Sequence, residues 1–199
     1  MRFQPTFPSF FAVDQLDTII NNDAVIDCCY DLHSKDVAKT QGGWSSGYLP
    51  HSLLENELKE LNYQIEVRII DIKKTLGIKS NVIHRISNFW INILEPNSTR
   101  KFPPHPPHIH GGQFLSCVYY PKANLDSGNL TLMTPFHMIE HVLSHDLLED
   151  YNMWNSGHLS VTPEPGKLII FPAWIMHYVQ PNYSDQDRIS IAFNISLEH

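Results

Sequence analysis

The sequence predicts a mainly β fold, a sandwich or barrel, with helices confined to the first third of the chain. Two observations carry this. From Leu53 the apolar positions Leu54, Leu58, Leu61, Ile65, Ile69, Ile72 and Leu76 recur every three or four residues. That is the stripe of one amphipathic helix, closing at Gly77. After Ser80 the pattern changes to short runs rich in β-branched and aromatic residues, separated by Pro, Gly, Asn and Asp, as in all-β domains.

The elements follow in order. A shorter helix is expected over 23–39, and GGWSSG after it reads as a turn-rich loop carrying Trp44. Strands are expected at 88–94, 113–120, 129–133, 158–161, 167–171, 176–180 and 188–195. The segment from Pro135 to Trp154 is too long for a simple turn. A connection of that length is expected to be a lid or binding loop at the mouth of the barrel. With no repeat and no linker, 1–199 reads as a single domain. Residues 1–80 are expected to be mostly helical and to pack on a barrel built from 81–196.

Composition narrows the function. Of 199 residues 42% are hydrophobic and 18% charged, with a formal net charge of −7, as in an ordinary globular protein. The acidic balance argues against a broad nucleic-acid or anionic-membrane surface. No apolar run is long enough to cross a bilayer, and MRFQPTFPSFF lacks a signal-peptide pattern. Cys28, Cys29 and Cys117 are an odd number, two of them adjacent, which suits a reduced, cytoplasmic protein. His199, in the terminal Leu197-Glu198-His199, is given no role.

Three segments carry chemistry. In HPPHIHGGQ, His108 and His110 are two apart, so on an extended backbone they point to one side and can share an ion. Imidazole suits Fe, Zn, Cu and Ni. The competing reading is a solvated histidine-rich loop. In PEPGKLIIFPAWIMHYVQPN a turn at Pro165-Gly166 leads into a buried strand, Leu168 to Phe171, and His177 opens the next. Eleven residues later comes Arg-Ile-Ser at 188–190. Adjacent antiparallel strands would set Arg188 beside His177, and Arg188 and Ser190 alternate onto one face. A guanidinium with a hydroxyl beside it binds a carboxylate; the alternative fate of such an arginine is a surface salt bridge.

The segments GGWSS (42–46), WIN (90–92), HIH (108–110), SCVYY (116–120), FPAWIMH (171–177) and RISIAFN (188–194) agree in order and spacing with a known pattern. Together they resemble the 2-oxoglutarate/Fe(II) oxygenases, in particular a small oxygenase family of marine bacteria and cyanophages. The resemblance covers roughly Asn88 to Asn194. It implies a double-stranded β-helix, the jelly roll shared with cupins. It also implies Fe(II) on His108, His110 and His177, and a 2-oxoglutarate carboxylate on Arg188 and Ser190. SCVYYPK is similar to the prolyl-hydroxylase strand whose second tyrosine contacts the cosubstrate, which makes Tyr120 a ligand. The activity implied is hydroxylation of a small molecule or peptide, with release of succinate and CO₂, in the cytoplasm (the host's, if phage-encoded), with a homodimer as the assembly to test.

One position departs from the wider superfamily, whose facial triad is two histidines and a carboxylate: the carboxylate position holds His110. Either His110 is the third ligand, or Asp126 or Glu140 completes the set, or two histidines bind and water fills the gap. His105 can also replace one of the pair. A rival cluster, His137, His141 and His145, is spaced for one helix face. It lacks the HExxH order of zinc proteases and reads better as the polar face of a lid. Two other functions compete: a cupin-like metalloprotein without 2-oxoglutarate, which leaves Arg188 and Ser190 unexplained, and a non-catalytic binding module on the same barrel.

Overall fold

The computed structural model describes residues 1, 9–36, 43–96, 105–135, 142–143, 145–152 and 154–198. Among them, ten strands form two antiparallel sheets, with three helices before the third strand. The strands are β1 (Ala12–Gln15), β2 (Gly43–Ser45), β3 (Ile83–Leu94), β4 (His105–His108), β5 (Leu115–Lys122), β6 (Leu130–Met133), β7 (His158–Val161), β8 (Lys167–Pro172), β9 (His177–Val179) and β10 (Arg188–Glu198). The helices are α1 (Asn22–Lys35), α2 (Ser52–Glu55) and α3 (Lys59–Thr75). The larger sheet runs β1-β8-β5-β10-β3-β2 and the smaller β4-β9-β6-β7. This mostly antiparallel β architecture with few helices is the double-stranded β-helix.

Alternation along the central strands sorts the two faces. On β10, Ile189, Ile191, Phe193 and Ile195 join Phe89, Ile91 and Ile93 of β3 and Leu115 and Tyr119 of β5 in one core. That core also takes in Val25 and Cys29 of α1 and Leu61, Ile65 and Ile69 of α3. The odd-numbered residues of β3, β5 and β10 thus seat the helices, as period-two pleating requires. The even-numbered residues face the space between the sheets. A second, smaller core there contains Leu130, Leu132, Ile169, Phe171 and Ile175. The helix-side face is thus spent on apolar burial, which leaves the inner face free to carry polar groups.

Four expectations are corrected. The stripe from Leu53 is two helices, because Asn56 leaves helical geometry and its side chain donates to Ser52 O (2.7 Å). The first helix ends at Lys35; 37–39 lie outside the described residues. Gly43–Ser45, expected as loop, pairs with β3, and a Cβ on Gly43 would sit 2.5 Å from Ile93 O. Only glycine allows that approach. Finally, His177 and Arg188 are not on neighbouring strands. β9 pairs with β4 and β6, whereas β10 pairs with β3 and β5, so the 180–187 segment crosses from one sheet to the other. Asn182 fixes that crossing by donating to Leu94 O (3.0 Å) and Gln186 O (2.6 Å).

Candidate active site

His108, His110 and His177 converge: one ring nitrogen from each lies within 4.8 Å of the others. The β4–β9 register sets His108 opposite His177, and the chain after β4 is held by His110 N–H donating to Ala173 O (2.9 Å).

The hydrogen bonds fix the tautomers. His108 Nδ1 lies 2.7 Å from Pro106 O and His177 Nδ1 lies 2.9 Å from Ile175 O. A carbonyl only accepts, so each Nδ1 carries the proton. His110 Nδ1 donates to Asn194 Oδ1, with Ser116 Oγ at 3.0 Å. The Asn194 amide is oriented by Nδ2 donating to Asn88 Oδ1 (2.7 Å). Burial above all holds His110 below the ordinary imidazole value, with the neighbouring His108 adding to it against the Asn194 hydrogen bond. With Nδ1 engaged in all three rings, Nε2 is the nitrogen each is left to offer to a shared ion. His108 Nε2 and His110 Nε2 are 3.1 Å apart. That separation lets both nitrogens reach one cation at ligand distances of about 2.1 Å. The donor set fits a divalent iron.

From these rings a cavity with an empty volume of about 490 Å³, its mouth included, runs inward to Arg188, past Tyr120, Ser190 and Asn92. Arg188 is 1% exposed. Its Nη1 donates to Ser127 O (3.0 Å) and Gly128 O (2.8 Å), with Gln180 O at 3.4 Å. Gly128 has φ +91°, and a Cβ there would overlap Gln180 O and Pro181 O. The carbonyl cradle thus requires glycine. Arg188 Nε and Asn92 Oδ1 are buried with no hydrogen-bond partner among the described residues. Burial lowers the Arg188 pKa to about 10 and raises that of Tyr120, so at neutral pH one is a cation and the other a neutral hydroxyl. A buried cation with dipoles around it and no carboxylate contact among the described residues has the chemistry to hold an anion.

The cross-strand register explains why the cavity has two polar ends. Asn88, Asn194 and Ser116 lie in one row across β3, β10 and β5, and this row holds His110. Asn92 and Ser190 form another row, toward Arg188. Trp90, Ala192 and Val118 separate them.

All six expected site residues therefore line one cavity. Asp126 is not among its lining residues; the side chains of His105 and His145, and the whole of His137, Glu140 and His141, lie outside the described residues. Sequence reasoning gives no role to Asn194, Asn88 and Asn92. The alternation of RISIAFN does place Asn194 on the face of Arg188 and Ser190, and that is the signal that could have found it. Of the lid expected over 135–157, residues 136–141, 144 and 153 lie outside the described residues. Its ends are tied by Met133 N–H to Met176 O and Thr134 N–H to Gly157 O (both 2.8 Å), beside His177.

A family model described as "Putative 2OG-Fe(II) oxygenase" matches residues 88–194. The chain belongs to this family. The oxygenase is thus an enzyme that uses Fe(II) and 2-oxoglutarate. Its fold is similar to that of a Pseudomonas putida prolyl-4-hydroxylase, at 12% identity and a TM-score of 0.55, covering 94% of this chain and 92% of that one. It is also similar to a Trichoplax adhaerens prolyl hydroxylase in complex with a hypoxia inducible factor peptide (15%, TM-score 0.59, 94% and 83%). A third is the epimerase SnoN in complex with Fe3+, alpha ketoglutarate and nogalamycin RO (13%, TM-score 0.59, 94% and 79%). At these identities the likeness is one of fold. No curated protein sequence matches the chain. No helix among the described residues is long and apolar enough to cross a membrane.

Proposed function

We propose that this oxygenase hydroxylates a C–H bond of a small molecule or peptide, with the balance R–H + O₂ + 2-oxoglutarate → R–OH + succinate + CO₂. Fe(II) is held by Nε2 of His108, His110 and His177. When bound, iron with the keto acid supplies the activation of dioxygen that no side chain can perform. The chain's own role is positioning. Arg188 pairs with the distal carboxylate, Ser190 and the protonated Tyr120 donate to it, and the apolar walls Leu130, Phe171 and Val179 keep water away. The one observation that carries this reading is the cavity joining three histidines to a buried arginine that meets carbonyls and no described carboxylate.

The experiment is release of labelled CO₂ from 1-labelled 2-oxoglutarate. Iron-dependent release, lost in His177→Ala and in Arg188→Ala, is expected. Iron binding without 2-oxoglutarate binding or turnover would favour a cupin-like metalloprotein instead.

A further inference from the structure

Trp90 lines two spaces. On one side is the Arg188 cavity; on the other a wider, open cleft reaches the surface past Tyr48, Asn88, Gln113 and Ile109, and shares His108 and His110 with the first. The Tyr48 and Trp90 rings lie 5.9 Å apart, Trp90 and His110 5.7 Å. Tyr48 is 73% exposed. An aromatic wall therefore leads from solvent to a histidine of the triad.

We propose that this cleft is the substrate subsite, and that it takes an uncharged, flat ring-bearing group with carbonyl or hydroxyl oxygens. The assignment to substrate rests on the oxygenase reading above. Three observations carry the class. First, none of the described residues lining the cleft is Asp, Glu, Lys or Arg. A charged group desolvated there would meet no charged side chain among the described residues, and with 2-oxoglutarate in place only the chelated metal bears on it, so burial of the charge is unfavourable. Second, the amide oxygens are engaged within the protein: Asn88 Oδ1 accepts from Asn194 Nδ2 (2.7 Å) and Gln113 Oε1 from Ser87 Oγ (2.6 Å). That leaves the Asn88 and Gln113 NH₂ groups as the amide atoms able to serve a ligand in this cleft, and donors select oxygen acceptors. Third, the exposed Tyr48 ring and Trp90 offer flat apolar faces, which a ring covers with good contact and little entropy loss. The formal charge of −7 also disfavours the approach of anions. The ring can belong to a small molecule or to a peptide side chain; the recognising chemistry is the same.

The test uses the full chain, loaded with Zn(II) and saturated with 2-oxoglutarate so that no turnover occurs and the Arg188 cavity is filled. Benzamide, benzoate and benzylammonium share one ring and differ in charge. Each is titrated while the Trp90 indole N–H resonance, assigned with Trp90→Phe, is followed by NMR. Benzamide is expected to shift it saturably, with the two ions at least about tenfold weaker. Tyr48→Ala and Gln113→Ala should each weaken benzamide about threefold to tenfold. Acetyl-phenylalaninamide binding at least about tenfold tighter than benzamide assigns the ring to a peptide, and equal binding assigns it to a small molecule. Equal or tighter binding of either ion, no benzamide shift, or benzamide binding indifferent to both variants overturns the proposal. Binding of 2-oxoglutarate is read on the same sample by calorimetry. Its absence overturns the oxygenase reading and the subsite with it; its presence with a charged-probe preference overturns the substrate class alone.

Discussion

The Nε2 atoms of His108 and His110 face each other at 3.1 Å while the Nδ1 of each ring is committed to an oxygen of the protein. The protein has in effect pre-set both tautomers for one shared cation. His177 completes the set in the same way, through Ile175 O. Imidazole ligands bring no negative charge, so the charge of a divalent ion is left to its other ligands.

Asn194 should tune the metal without touching it. It keeps His110 in the Nδ1–H tautomer and in its orientation. Asn194→Ala should weaken Co(II) or Fe(II) binding about 10- to 100-fold, whereas Asn194→Asp, which keeps the acceptor, should hold most of the affinity. A competition titration against a chelating dye checks this; equal losses in the two variants would point to a packing role instead.

Arg188 should govern 2-oxoglutarate and not iron. Losing a charge-assisted hydrogen bond costs about 1.5–3 kcal/mol, so Arg188→Lys should weaken 2-oxoglutarate about tenfold and Arg188→Ala more. Metal affinity should be unchanged in both, because the histidine ligands are intact. Calorimetric titrations of each ligand separate the two effects.

The pH dependence follows in sign. The folded pKa of Arg188, about 10, lies below the ordinary guanidinium value. The unfolded chain thus binds the proton more tightly, and the buried charge costs stability at every pH below about 10. That penalty is relieved as pH rises from about 10 toward the ordinary guanidinium value. A bound carboxylate offsets the penalty at neutral pH, so saturating 2-oxoglutarate should raise the melting temperature of the metal-loaded protein at pH 7 and not that of Arg188→Met. Affinity for 2-oxoglutarate should be flat from pH 7 to 9 and fall above about 10, measured by calorimetry in matched buffers.

Phe193 and Ser190, three residues apart on β10, should separate stability from binding. Phe193 is fully buried against the helices and stacks on Phe89 at 5.7 Å, so Phe193→Ala should cost about 3–5 kcal/mol. Ser190 faces the cavity; Ser190→Ala should shift denaturant unfolding little and weaken 2-oxoglutarate. Denaturant melts with matched titrations check both arms.

Much of the site is legible along the chain because strand pleating is a local rule. SCVYY and RISIAFN alternate, so apolar residues meet the helices while Ser116, Tyr120, Arg188 and Ser190 turn inward. The H-x-H spacing likewise announces the pair His108 and His110. Sequence and structure part where local rules say nothing. GGWSS reads as loop because its turn residues hide an edge strand that exists only by pairing with β3. The short spacing of His177 and Arg188 resembles a hairpin, whereas the segment between them changes sheets.

What the sequence alone determines, then, is the kind of strand, its inner face and the residue types on it. Tertiary structure decides which of them meet. His110 finds Asn194 across 84 positions of chain, and the Arg188 cradle is assembled from carbonyls of Ser127 and Gly128 with Gln180 close by. Such contacts depend on sheet register and on backbone groups that every residue carries, so the order of side chains marks single positions, such as Gly128, without telling which of them meet.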